Sequence, residues 1–370
     1  MPHPSDLRPL LRQIIEHRAI LSREQATQLF QLILAGHASE LEIAALVGAI
    51  GARGESAPEL AGFVDAMRAA ATTVPLDEAE RSQLVDTCGT GADASGTFNI
   101  STAAALVAAA AGATNPGANW MVAKHGNRAV TSQCGSADVL EALGIPVTLD
   151  PAQAAAALRT HRFAFLHAPT LHPAMKAVQP VRRALGIRTI FNVLGPLTNP
   201  AGARAQVMGV YAAHLVPIVA EAMLLLGVRH AFVVHGIDAA TSAGLDELSI
   251  SGPTDIAEVR AGAIAYTRIH PAELGLTPTP IESLRGGDAQ TNAAILRAIF
   301  TGEPGSRRDV VLLNAAAVLI TANHAAPHPA PTASAPQDIQ HRLRAAINLA
   351  AHAIDSGAVT TLVSQLAAKS

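Results

Sequence analysis

Two glycine-punctuated stretches carry most of the side chains able to act on a charged small molecule. The first, DTCGTGADASGTFNIST from Asp86 to Thr102, follows an apolar run ending in Leu84-Val85 and enters an alanine-rich segment near Ser101. Glycines such as Gly89 and Gly91 let backbone N–H groups approach an anion closely, and a helix start behind them adds partial positive charge. Thr90, Asn99, Ser101 and Thr102 supply short donors. A glycine loop of this kind also serves as a plain strand-to-helix turn, so it acquires meaning from its neighbours. The second stretch, KHGNRAVTSQCGS from Lys124 to Ser136, likewise follows an apolar run (Trp120, Met121, Val122) and precedes a helix beginning near Ser136. Here Lys124 is a point charge for phosphate, Arg128 offers a planar fork, and His125 donates only a hydrogen bond. In open parallel sheets ligands bind outside the carboxyl ends of the strands, so two adjacent loops of this type predict one crevice.

The elements that must hold these loops read as α/β. From Asp6 to about Ala71 the pattern is helical: Leu7, Leu10, Leu11, Ile14 and Ile15 recur at helix spacing, Ser22 with Gln25 and Ser39 with Glu42 form capping boxes, and Gly36 closes the second helix. Pro75 marks a boundary. Beyond it, strands at Leu84–Cys88, Trp120–Lys124, Phe163–Ala168, Ala205–Tyr211 and Ala231–His235 alternate with helices, which predicts a mostly parallel sheet flanked by helices. Residues 1–74 thus form a small all-helical domain and 75–370 a larger α/β domain, with two short helical stretches at Thr170–Gly186 interrupting the alternation.

Several motifs in order, GTGADASGTFNIST, KHGNRAVTSQCGSADVLEALG, HPAMKAVQPVRRALGIRTIFNVLGPLTNP, GLDELS and GGDAQTNAAILRAIFTGE, resemble those of the anthranilate phosphoribosyltransferase family. The resemblance runs from about Leu7 to the C-terminal helix. It implies transfer of the 5-phosphoribosyl group from 5-phosphoribosyl 1-pyrophosphate to the amine of anthranilate in tryptophan biosynthesis. It also implies residues 170–186 packed beside the N-terminal helices, completing the small domain discontinuously, an active cleft between the domains, and a homodimer. By the same resemblance Gly89, Thr90, Gly91 and Asp93 hold the pyrophosphate side, with Asn99, Ser101 and Thr102 on phosphate, metal and ribose and Thr97 among the substrate-binding residues. Lys124 offsets leaving-group charge, His125, Gly126, Asn127, Arg128 and Ser136 line the substrate site, and His172, Asn127 and Arg182 face anthranilate. An arginine suits a planar carboxylate, and Arg183 is the alternative one residue on. Mg²⁺, two ions per subunit, is implied on Asp246, Glu247 and the Ser101 hydroxyl; an Asp-Glu dipeptide by itself is usually solvated surface. No general base is assigned, because anthranilate's amine is already neutral at pH 7. The family's GTGGD has glycine where this chain has Ala92, and segments 114–119 and 239–243 extend the usual loops.

Composition narrows the rivals. Across 370 residues, 49% are hydrophobic, 15% charged and 3% aromatic, with 26 basic against 29 acidic side chains. A catalytically inactive fold relative binding nucleic acid should show a basic face, which this balance does not favour. A pyrimidine nucleoside phosphorylase-like enzyme would share the glycine-rich loop and the interdomain cleft, but KHGNR with GLDE favours a pyrophosphate substrate. Cys88 and Cys134 lack paired metal-ligand spacing and read as small buried thiols in a reducing, cytoplasmic setting. No signal pattern opens the chain, and its longest small-apolar run, Ala103–Ala113, is too short for a bilayer. His324 and His328 are four apart, but Pro327 and Pro329 argue against the helix a metal pair would need, and 324–336 reads as a proline-alanine linker.

Overall fold

The computed structural model describes residues 7–91, 93–115, 117–129, 133–322 and 336–368. Ala92, His324, His328 and most of the 324–336 stretch lie outside the described residues. Four helices open the chain: α1 (Arg8–Ile15), α2 (Arg23–Leu34), α3 (Glu40–Arg53) and α4 (Ala57–Ala69). The Ser22/Gln25 and Ser39/Glu42 capping boxes form as read from the sequence. Gly36 takes a φ of 78° just past α2, a backbone region that an L side chain enters only at a cost. Helices α2 and α4 cross at Gly62, where any Cβ would collide with the Arg23 carbonyl and Ala26.

The sheet contains β1 (Leu84–Gly89), β2 (Met121–Gly126), β3 (Phe163–His167), β4 (Ala205–Gly209), β5 (His230–Ile237), β6 (Gly244–Leu245), β7 (Thr254–Arg260) and β8 (Ala263–Ile269). Their spatial order is β3-β2-β1-β4-β5-β7-β8, with β6 on the end of β5. Strands β1 to β5 are parallel. The sheet then continues antiparallel through β7 and β8, an extension the alternation of strand and helix did not anticipate. Because the chain winds outward in both directions from β1 and β4, the switch point of the topology lies between these two strands, where α/β sheets place their ligands.

Helices cover both faces. The alanine-rich helix Ile100–Thr114 is buried almost throughout, between the sheet and the helix Ser306–Ala322. Small side chains permit that close approach: a Cβ at Gly112 would strike the Trp120 indole, whose Nε1 instead donates to the Ala108 carbonyl (3.0 Å). On the other face, α4 packs against the helix Leu215–Leu225, so the helical module and the sheet share one continuous apolar layer. Arg23 pins the junction with a two-pronged bond to Asp65 and a third to the Leu225 carbonyl (2.7 Å). Val178 and Val181, from the stretch that interrupts the alternation, are buried in this same layer.

Candidate active site

The carboxyl ends of the three central strands finish in glycine or have glycine close by, and the reason is a single crossing segment. A Cβ at Gly89 would meet the Asp246 carboxylate, one at Gly209 would meet the Asp246 carbonyl, and one at Gly236 would meet the Glu247 carbonyl. Gly89 and Gly209 are paired across β1 and β4. The GLDE segment therefore lies directly over the switch point, in contact with backbone.

That places Asp246 and Glu247 on the first glycine loop. The Gly91 amide and the Thr90 hydroxyl (3.3 Å) both donate to Asp246 Oδ2. The Ser101 amide, at the start of helix Ile100–Thr114, donates to Glu247 Oε1 (3.1 Å). Asp93 lies beside them, its Oδ2 accepting from the Asp246 amide at 3.4 Å. The pair does not sit on an exposed rim: Asp246 is only 8% exposed. Burial, reinforced by the charges of Asp93 and Glu247, pushes the Asp246 carboxyl well above the ordinary range. Burial likewise lifts Glu247 to about 7, with Lys124 pulling the other way.

Lys124 is 1% exposed and donates to the Thr87 carbonyl (2.7 Å) and the Ser101 hydroxyl (3.4 Å), which fixes its ammonium between the two loops. His125 and His172 meet edge to face with ring centroids 5.1 Å apart. Burial takes His125 down to about 3 and His172 to about 4, so both are neutral at pH 7. The Gly195 carbonyl can only accept, so the 3.2 Å contact assigns the proton of His125 to Nδ1.

The rest of the second loop is more open. Arg128 spends its fork on Glu141 (2.6 Å to each oxygen) and also reaches Asp138 (3.2 Å). Asn127 is exposed, accepting from the Arg128 amide through Oδ1, and Ser136 donates to the Asn127 carbonyl (3.1 Å). Gly126 is tight, since a Cβ there would strike Ser136 and Phe165. Thr97 hydrogen-bonds the Ser95 hydroxyl (3.2 Å) and bridges to Arg285. Thr102 is 1% exposed, and its buried hydroxyl has no hydrogen-bond partner among the described residues. Arg182 is half-buried, has Phe191 within 5.8 Å of its guanidinium carbon, and has no acidic partner among the described residues. Burial lowers its pKa.

Three residues that sequence reasoning passed over hold this arrangement together. Asp86, fully buried in β1, accepts from the His125 amide (3.1 Å) and from Asn199 Nδ2 (2.9 Å), and Asn199 also donates to the Ala123 carbonyl (2.7 Å). Asn292 donates to Asn99 Oδ1 (2.9 Å) while accepting from the Gly287 amide (2.8 Å), and Asn99 donates onward to the Cys134 carbonyl (3.3 Å). This chain links the GGD segment to both loops.

Residues 81–360 match the glycosyl transferase family, a/b domain, and residues 8–71 match the glycosyl transferase family, helical bundle domain. Anthranilate phosphoribosyltransferase of Roseiflexus castenholzii is 52% identical over 308 residues, covering 83% of this chain and 86% of its own. That of Symbiobacterium thermophilum is 46% identical, covering 95% and 94%. Among solved structures, anthranilate phosphoribosyltransferase from Thermus thermophilus superposes with a TM-score of 0.82 at 37% identity, over 97% of this chain and 98% of that one. The Saccharomyces cerevisiae enzyme in complex with PRPP and Mg shares the fold at 23% identity, with a TM-score of 0.82 and 100% coverage of both chains. At this identity and coverage, and with the fold shared over nearly the whole chain, the chain belongs to the anthranilate phosphoribosyltransferase family.

Proposed function

We propose that the crevice above β1 and β4 is where this chain carries out its reaction and that Asp246 and Glu247 hold magnesium there. The activity is transfer of the 5-phosphoribosyl group from 5-phosphoribosyl 1-pyrophosphate to the amine of anthranilate, with release of pyrophosphate. The observation that carries the assignment of the site is the pair of cation-poor carboxylates, Asp246 buried and Glu247 half-buried, set against the glycine loop at the switch point.

The amine nitrogen forms a bond to ribose C1 as the bond from C1 to the pyrophosphate oxygen breaks. Positive charge develops on the sugar and negative charge on the leaving group, so the protein's work is positioning and neutralisation. Lys124, fixed between Thr87 and Ser101, brings a cation to the leaving-group side. The glycine loop and the start of helix Ile100–Thr114 bring amides and hydroxyls. The residues fit magnesium, which favours one or two carboxylates with water and phosphate oxygens over a closed protein cage. Burial holds Asp246 and Glu247 toward their protonated forms, and a divalent cation would reverse that balance. When bound, the ion would neutralise charge on the departing pyrophosphate.

On the acceptor side, Arg182, which has no acidic partner among the described residues, is suited to anthranilate's carboxylate, and Asn127 of the second loop and neutral His172 of the 170–186 stretch are assigned beside it. That stretch, with residues 1–74, we take as the small domain, and 75–370 as the large one. Exposed Ile15, Ile20 and Leu41 on the small domain support a homodimer formed there, and we place the enzyme in the cytoplasm. The direct test follows loss of anthranilate fluorescence with phosphoribosyl pyrophosphate and Mg²⁺, against a control without metal. Consumption should require both additions; consumption at full rate without metal overturns the magnesium assignment.

A further inference from the structure

The helix Ser306–Ala322 is a core element, and from Val310 to Ala322 it is apolar except at Asn314 and Thr321. Thr321 turns its hydroxyl back on its own helix, to the carbonyls of Ala317 (3.2 Å) and Val318 (3.0 Å). Asn314 behaves differently. It is 2% exposed, its Oδ1 accepts from the Leu248 amide (3.0 Å), and its Nδ2 donates to the Leu248 carbonyl (3.0 Å) and to Val310 O (2.9 Å). One carboxamide thus captures both backbone groups of a single residue, as a neighbouring strand would.

Leu248 directly follows Asp246 and Glu247. An amide buried in an apolar helix is costly unless its groups are paired, and pairing both ends with one residue fixes that residue's position and its orientation. The GLDE backbone is already seated from below, with the Asp246 carbonyl against Gly209 and the Glu247 carbonyl against Gly236. Asn314 supplies the lateral constraint. We propose that Asn314 is a positioning residue that sets the Asp246 and Glu247 carboxylates for magnesium and pyrophosphate. The inference rests on the reading that those carboxylates hold the ion.

The test compares wild type with Asn314→Ala, Asn314→Ser and Leu319→Ala by calorimetric titration of Mg²⁺ in the presence of pyrophosphate, alongside Tm. Leu319 is buried on the same helix, more than a turn from Asn314, so its truncation opens the core without touching Leu248's bonds. Leu319→Ala should lower Tm and leave the Mg²⁺ Kd within about twofold of wild type, as separated sites act independently. Asn314→Ala should weaken Mg²⁺ binding by about 10- to 100-fold, the usual cost of losing a partner that orients a metal ligand. If Asn314→Ala does not fold, Asn314→Ser carries the comparison, because a serine hydroxyl can still bond the Val310 carbonyl but cannot span both groups of Leu248. In turnover, the loss should appear in the Mg²⁺ requirement, with the anthranilate KM unchanged. A folded Asn314 variant that binds Mg²⁺ like wild type overturns the positioning role. Absence of Mg²⁺-dependent pyrophosphate binding in wild type itself overturns the metal reading, and the inference with it.

Discussion

Opposite Phe232 of β5, Glu258 of β7 is buried against Arg342 (2.7 and 3.1 Å) and His230 (2.8 Å), whereas at the carboxyl end of β5 Asp246 and Glu247, buried and half-buried, face backbone amides and a hydroxyl. Phe232 and Gly236, which mark the two sites along β5, are four strand residues or about 13 Å apart. Burial by itself raises a carboxyl's pKa, yet at Glu258 the bonds from His230 and Arg342 bring it down to about 2, while Glu247 is left near 7. One end of the sheet has its charges paired within the protein and serves stability. The other has carboxylates short of cations, the arrangement that the proposed magnesium would complete.

The largest effect should come from the unpaired end. Asp246→Ala combined with Glu247→Ala should reduce turnover by about 10²- to 10³-fold or more, on the scale of losing preorganised charge stabilisation. The fold should persist, since the substitutions remove buried carboxyls that lack cationic partners of their own. Retention of more than about a tenth of wild-type turnover at saturating Mg²⁺, a barrier change under ~1.4 kcal/mol, would erase the functional half of the contrast.

The paired end should respond in stability alone. Glu258's folded pKa lies below its ordinary 4.5, so its contribution is fully present above about pH 4.5 and is lost as pH falls toward 2. Glu258→Gln should therefore cost about 3 kcal/mol at pH 7, shrinking through that acid window, with both substrate KM values unchanged. Denaturant melts at pH 7 and pH 3, with steady-state kinetics, check both halves; a kinetic defect without a stability loss would merge the two ends.

Arg182→Ala carries the comparison to the acceptor side. Removing one charged hydrogen bond, worth about 1.5 to 3 kcal/mol, should lower kcat/KM for anthranilate by roughly 10- to 150-fold and leave the donor KM in place. Arg183→Ala, exposed and one residue on, should do little, and equal damage to both substrates would mark Arg182 as structural. Smallest of all should be Arg128→Gln. With its fork already filled by Glu141 at the surface, it should shift the donor KM by less than about fivefold, in line with the modest worth of exposed pairs. A larger shift would show that the fork leaves Glu141 for substrate.

What was legible in the sequence follows the same division. Strands β1 to β5 announce themselves as apolar runs, because parallel strands are covered on both faces. Strands β7 and β8 did not. The buried Glu258 and Arg260 break the expected apolar-in pattern, since their burial depends on charges from a helix some eighty residues further along the chain. The hairpin between them turns at Ala261 and Gly262, both with positive φ, a cue weakened by alanine in the first place. At the site, Lys124, Ser101, Asp246 and Glu247 were visible as local motifs. Asp86, Asn199, Asn292 and Asn314 were not, because each acts on groups from distant parts of the chain, and nothing local marks a side chain that serves remote partners.

Calorimetry of the wild-type protein measures directly whether magnesium arriving with pyrophosphate completes the cation-poor carboxylates. Pyrophosphate should bind weakly alone and at least about tenfold more tightly with saturating Mg²⁺, with Mg²⁺ affinity rising by the same factor when pyrophosphate is present. Equal pyrophosphate affinity with and without Mg²⁺ would contradict it.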